Sequence, residues 1–229
     1  MIEMLSKEKI REIIAKRAAK EFKDGDVVTL GIGLPTEVTK YIPQDIRVMF
    51  QSENGLLGVG KNQDPNNIDG RVINAGGGYV ETVDGACFYD SQMAFILMRG
   101  GHIDATVLGA RQVDSEGNLA NWCVPNKFTP GMGGAMDLVV GAKKVIVVME
   151  HTSKGQTKIV ERCDLPLTAS REVNLIITER CVFRVDYDEN KVSKGLILEE
   201  INPMFTVEDH KKSTGCDFKI SKNLGEMEI

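Results

Sequence analysis

Apolar side chains in the first stretch of the chain recur at helical spacing. Ile10, Ile13, Ile14, Ala18 and Phe22 share one face while Lys, Arg and Glu fill the other, which predicts an amphipathic helix over 7–23. Ser6 is placed to cap it. Asp24-Gly25-Asp26 then reads as a turn, and Val27-Val28-Thr29-Leu30 as a short buried strand running into Gly31-Ile32-Gly33. A helical piece near 36–42 and a strand near 46–50 follow, and then the glycine-rich run from Gln51 to Gly60. Further apolar runs predict strands at 71–74, 103–109, 144–150 and 173–179, with helices near 91–99 and 134–142. Strands apolar on both faces and separated by helices imply an α/β fold with an open, mainly parallel sheet and flanking helices. Cys181–Val185 and Leu196–Leu198 flank the turn-like segment 186–195 and predict a terminal hairpin. Thr206-Val207-Glu208-Asp209 fits a capping box, opening a short helix that ends before Gly215. No repeat or linker divides the chain, so one domain over 1–229 is expected.

Composition narrows the function classes. The 229 residues are 42% apolar and 27% charged, and apolar runs such as Val145–Met149 are too short to span a bilayer. Residues 1–8 mix both charge signs and contain no continuous apolar stretch of the signal-peptide kind, so a cytoplasmic protein is expected. The net charge of −5 is interspersed, with no basic stripe to hold nucleic acid. The five cysteines are odd in number and contain no C-x-x-C pair, which argues against a disulfide framework or a zinc knuckle. His102, His151 and His210 are far apart, and only His102 has a second ligand type close by, at Asp104; hydrogen-bonded or solvated side chains are expected, with no metal.

Two glycine motifs imitate nucleotide sites. Gly31-Ile32-Gly33 has the start of a dinucleotide fingerprint, but Pro35 and Thr36 stand where helix residues and a third glycine belong. Gly55-Leu56-Leu57-Gly58-Val59-Gly60-Lys61-Asn62 satisfies G-x-x-x-x-G-K and then offers an amide in place of the Ser/Thr hydroxyl. Turn formers follow it where a P-loop requires a helix. Neither is read as a phosphate loop.

Phe50-Gln51-Ser52-Glu53-Asn54-Gly55-Leu56-Leu57-Gly58 resembles the Ser-Glu-Asn-Gly signature found in the B-type chains of family I coenzyme A transferases. Gly100–Asp104, Leu119–Trp122, Gly131–Leu138, His151–Gly155 and Lys212–Phe218 follow in the order found in that family, so the likeness covers nearly the whole chain. Asn74-Ala75-Gly76 fits as well, but Gly77-Gly78 stand where some relatives carry a lysine and an acid. The resemblance implies the open α/β architecture shared with sugar-phosphate isomerase-like proteins. It also implies an A-subunit partner in a heterodimer or A2B2 heterotetramer, with the active site between the chains.

By the same resemblance, Glu53 is the nucleophile that carries CoA between an acyl-CoA (succinyl-, acetyl- or butyryl-) and an acid such as acetoacetate. The site implied around it comprises Gly134 as an oxyanion donor, with Gly133, Asn54 and Asn74 beside it. Thioester exchange calls for a carboxylate nucleophile and for no metal, ATP or redox cofactor. Glutamate carboxylates, which titrate near about 4.3 in model peptides, need no neighbouring base at neutral pH. The rival readings are a sugar-phosphate isomerase and a catalytically idle assembly protein; the first requires dedicated phosphate-binding groups and gives Glu53 no role.

Overall fold

The computed structural model describes residues 5–127, 129 and 131–228. Residues 1–4 of the N-terminal segment read above for targeting signals lie outside the described residues. The chain opens with α1 (Lys7–Ala19), capped by the Ser6 hydroxyl accepting from Lys9 N at 3.2 Å. It ends four residues short of the predicted helix. There follow β1 (Val27–Leu30), the short α2 (Leu34–Glu37) continued by a 3₁₀ turn over Val38–Tyr41, β2 (Met49–Ser52), β3 (Leu56–Asn62) and β4 (Val80–Phe88). Next come α3 (Ser91–Arg99), β5 (Ala105–Gly109), β6 (Gln112–Asp114), β7 (Leu119–Ala120), α4 (Ala135–Gly141) and β8 (Val145–Val148). The remaining elements are β9 (Thr152–Ser153), β10 (Gln156–Thr157), β11 (Ile159–Val160), β12 (Leu175–Ile177), β13 (Cys181–Tyr187), β14 (Ser193–Ile201), α5 (Val207–Ser213) and β15 (Phe218–Glu226).

Ten strands form one sheet in the order β15-β14-β13-β12-β8-β5-β1-β2-β3-β4. The block from β12 to β2 is entirely parallel, while β13 and β14 add the predicted antiparallel hairpin at one side. Burial explains the apolar runs. Val145 and Val147 of β8 face one core with Met98 of α3 and Leu138 of α4, whereas Ile146 and Val148 face a second core with Ile13, Ile14 and Ala18 of α1. A strand covered on both faces cannot show polar alternation. The sheet is thus large, mainly parallel at its centre and flanked by helices, as the sequence pattern implied.

Three expectations need correction. Residues 71–74 are not a strand; Ile73 makes only an isolated antiparallel bridge to Tyr79. The glycine-rich run after Gly55, to which no strand was assigned above, is β3, paired antiparallel to β2 and β4. A Cβ on Gly58 would stand 2.7 Å from the Ala86 Cβ, so this glycine permits close strand approach at a register shift. Strand β15 also escaped the sequence reading, because Lys219, Ser221, Lys222 and Asn223 break its apolar pattern. Its pairing comes from the ladder that β14 offers, and the polar residues suit an edge.

The histidines behave structurally. His102 is exposed, while His151 and His210 are fully buried and hydrogen-bonded. The His151 ring lies 3.2 Å from each of the Thr178 and Thr214 hydroxyls and meets the His210 ring edge-on at 5.7 Å. Burial, followed by the nearby Arg180 and His210 charges, pushes the His151 imidazolium down to about 3. Its folded pKa is below the ordinary value of about 6.5, so the unfolded chain binds the extra proton first and stability falls as pH drops from about 6.5 toward 3. The slope from this one group approaches about 1.4 kcal/mol per pH unit. We expect His151→Gln to flatten the pH dependence of unfolding, followed by denaturant titration, by this amount between pH 6 and pH 4, relative to the unsubstituted protein; equal slopes would refute the assignment.

Candidate active site

Strand β2 buries Gln51 and Ser52 and then turns back on itself within three residues, since Ser52 pairs with Leu56 across the hairpin. Gly55 N donates to Ser52 O at 3.0 Å to close the turn. Gly55 holds φ +106°, and a Cβ there would stand 1.9 Å from the Tyr89 carbonyl oxygen, so position 55 admits no side chain. Tyr89 N in turn donates to Gly55 O at 2.9 Å. The turn is held from behind by the backbone that leaves β4, and Glu53 rides at its tip. Because β2 belongs to the parallel block, that tip lies at the carboxyl edge of the sheet, where open α/β folds place their ligands.

Glu53 is half-buried and points at the start of α4. Gly134, the residue capping α4, donates its N–H to Glu53 Oε1 at 3.3 Å. A Cβ on Gly134 would come within 2.4 Å of Oε2 and 2.9 Å of the carboxyl carbon, although its backbone (φ −81°, ψ 2°) suits any residue. Glycine is needed here for space, not for conformation. Gly133 has φ +52°, and a Cβ there would be 3.7 Å from Oε1.

Asn54 and Asn74 stand differently. The exposed Asn54 donates Nδ2 to Ile73 O at 2.8 Å, fastening the turn to the segment beyond. Asn74 Oδ1 accepts from both Gly76 N and Gly78 N at 2.9 Å, and Asn74 N donates to Gly78 O. Its side chain therefore shapes a small loop. That loop is joined to the site by Ala75 N donating to Ser52 Oγ at 2.8 Å. The structure thus brings Glu53, Gly133 and Gly134 into contact and sets the two asparagines to hold the turn and its neighbouring loop. Gly77, the point of departure from the family pattern, lies in this loop at φ +78° with open space where a Cβ would be.

The sequence reading missed Ser52 and Tyr89 as supports. Ser52 lies inside the motif, but nothing in the spacing shows what its hydroxyl meets; Tyr89 lies 34 positions from Gly55 and only tertiary contact joins them. An open cleft of about 240 Å³ lies at the carboxyl ends of β1, β5 and β8, lined by Arg11, Ile32, Glu150 and Lys158 among others. Burial pushes the Lys158 ammonium down to about 8. None of the five expected site residues lines this cleft. Among the described residues no group of three His, Cys, Asp or Glu side chains is placed to hold a metal ion, and no helix is long and apolar enough to cross a membrane.

Comparison with known proteins places these features in context. Residues 11–212 match the coenzyme A transferase family. The chain is 49% identical over 220 residues to the beta subunit of the acetate CoA-transferase of Haemophilus influenzae, covering 96% of each chain. It is 48% identical to the mitochondrial succinyl-CoA:3-ketoacid coenzyme A transferase 2B of Mus musculus, matching 95% of this chain and 41% of that one. Among solved structures, the apoenzyme of the acyl-CoA transferase YdiF of Escherichia coli O157:H7 superposes with a TM-score of 0.75 at 23% identity, over 98% of this chain and 44% of the other.

The turn geometry makes its own prediction. Gly55→Ala suffers both the positive φ, costing about 1–3 kcal/mol, and a collision with the Tyr89 carbonyl. Gly77→Ala suffers only the first. Thermal unfolding of the two variants should show Gly55→Ala clearly the less stable, and equal stabilities would contradict the clamp.

Proposed function

The chain belongs to the coenzyme A transferase family, and we propose that it is the nucleophile-carrying B chain of a two-chain enzyme, passing CoA from an acyl-CoA to a free carboxylic acid through a thioester on Glu53. The observation that carries this reading is the Gly134 N–H held 3.3 Å from Glu53 Oε1 with no room for a side chain between them. A half-buried carboxylate at a sheet's carboxyl edge with a backbone donor against it suits acyl chemistry.

The chemistry follows from the carboxylate. A Glu53 oxygen attacks the acyl-CoA carbonyl, the C–S bond breaks, and CoA leaves as a thiolate, giving a mixed anhydride. The thiolate then attacks the Glu53 carboxyl carbon and releases the first acid as its carboxylate. A second carboxylate attacks the resulting glutamyl thioester, and the same two steps in reverse deliver the new acyl-CoA. Each step exchanges one anionic leaving group for another, so no proton needs to move and no metal, ATP or redox cofactor is called for. The Gly134 N–H serves the tetrahedral oxyanion on the Glu53 carbon, and Gly133 lets the chain approach. Asn54 and Asn74 act on the turn and loop that present Glu53.

The names of the relatives, an acetate CoA-transferase and a succinyl-CoA:3-ketoacid coenzyme A transferase, support acetate and succinyl-CoA as substrates and a 3-keto acid as acceptor. Our reading takes acetyl-, butyryl- or succinyl-CoA as donor and acetoacetate or a similar acid as acceptor, in ketone-body or short-chain fatty-acid metabolism. That the Haemophilus influenzae relative is a beta subunit supports an A-subunit partner, in a heterodimer or an A2B2 heterotetramer. We assign the enzyme to the cytoplasm.

Incubating the assembled enzyme with acyl-CoA alone should leave CoA attached to this chain at Glu53, read by peptide mass spectrometry. Hydroxylamine should convert the adduct to a hydroxamate, and Glu53→Gln should lose both adduct and transfer while still assembling. A label elsewhere, or normal transfer by Glu53→Gln, overturns the reading. Gly134→Ala keeps the backbone and drives a methyl group into the carboxylate, so turnover should fall by roughly 10²–10³, about 2.7–4 kcal/mol of barrier. Undiminished turnover in a folded Gly134→Ala enzyme would remove Gly134 from the site.

A further inference from the structure

Two buried polar groups play no part in the mechanism above. Gln51 is 4% exposed, and neither Oε1 nor Nε2 of its amide has a hydrogen-bond partner among the described residues. The Tyr89 hydroxyl is likewise buried and unpartnered, close enough to the Gln51 amide to feel it but outside hydrogen-bonding geometry. Burial pushes the Tyr89 phenol up. Polar atoms buried without protein partners cost folding free energy, whereas apolar side chains of the same shape would not. Their presence at one place calls for a reason other than stability.

Both residues bear on the turn that carries Glu53. Gln51 lies two residues before Glu53, so strand alternation puts its side chain on the face of β2 from which the nucleophile continues. The neighbouring strands carry a buried polar row on that face: Thr29 is in register with Gln51, and its hydroxyl donates to Thr106 at 2.9 Å. Tyr89 grips the other end of the turn through both backbone groups, its N–H on Gly55 O and its carbonyl in the place of a Gly55 Cβ. The Gln51 side chain and the Tyr89 ring thus meet beneath the turn, one attached to its first strand and the other to the segment that clamps it.

We propose that Gln51 and Tyr89 are positioning residues for Glu53: their polar ends, unpartnered in the resting structure, close into a hydrogen bond with each other once substrate is held at the carboxylate, and so fix the strand end against the clamp while the carboxylate faces the Gly134 N–H. The proposal rests on the reading of Glu53 as the nucleophile. Neither side chain touches a reacting atom. A small displacement of the turn moves the carboxylate off its donor, and misplacements of about 1 Å are enough to slow bound chemistry by up to about 100-fold.

Tyr89→Phe removes one oxygen and Gln51→Met replaces the amide with an apolar group of similar length. In the assembled enzyme, both variants should unfold at an unchanged or higher temperature. Their kcat should fall about tenfold or more with KM unchanged, the signature of an interaction felt only in the transition state. Single-turnover formation of the CoA adduct should slow by the same factor, with the label still on Glu53. Unchanged kcat in both variants overturns the proposal. So does lost activity that follows a lowered unfolding temperature or a failure to fold, since the pair would then be supporting the structure. Failure of the nucleophile assignment is seen separately, as the absence of a Glu53 adduct in the unsubstituted enzyme.

Discussion

The arrangement depends on one close approach: the start of α4 reaches the Glu53 carboxylate because residue 134 has no side chain. The 2.4 Å separation between an imagined Gly134 Cβ and Oε2 shows how little space remains. Everything else serves to bring two backbones to that distance. Helix α4 is carried by packing of Leu138 and Val139 into one core, and the Glu53 turn by the β2–β3 hairpin with Tyr89 behind it. The contact joins segments 81 residues apart in sequence, and neither segment has a local reason to adopt the position alone.

The sheet supplies the rigidity this requires. Its parallel block is covered on both faces, with α1 on one side and α3 and α4 on the other, so strand ends cannot shift without disturbing two cores. Close-packed interiors respond to small displacements by resisting them, which makes a strand end a better platform for a nucleophile than a free loop. The turn departs from β2 for only three residues before β3 resumes the ladder. Glycine is used twice here for different physical reasons: at 55 for backbone conformation and a crowded back side, at 134 for space alone.

Polar burial has two characters in this molecule. His151, Thr178 and Thr214 form a satisfied cluster that joins the segment after β8 to α5 and needs no functional explanation. Gln51 and Tyr89 are buried beside the nucleophile without such satisfaction. The difference separates a structural network from a group held at a cost in stability, and it could be drawn only from the positions of atoms.

Periodicity alone determined α1, the buried central strands, α3, α4, the terminal hairpin and the capped α5, because these elements are coded by local spacing of apolar residues and by caps. The ordered motifs around Glu53 and Gly131–Leu138 determined the family and named the residues that meet. What spacing could not decide was β3, β4 and β15. Glycines in β3 resemble a loop until the close approach of Ala86 is known, and the polar edge strand β15 owes its form to a neighbour's unpaired backbone. Nor could sequence show that Asn54 and Asn74 act on backbone beside the nucleophile, or that Tyr89 and Gln51 meet beneath it. Those relations are made by long-range contacts, and only tertiary structure decides which distant residues share a few ångströms of space.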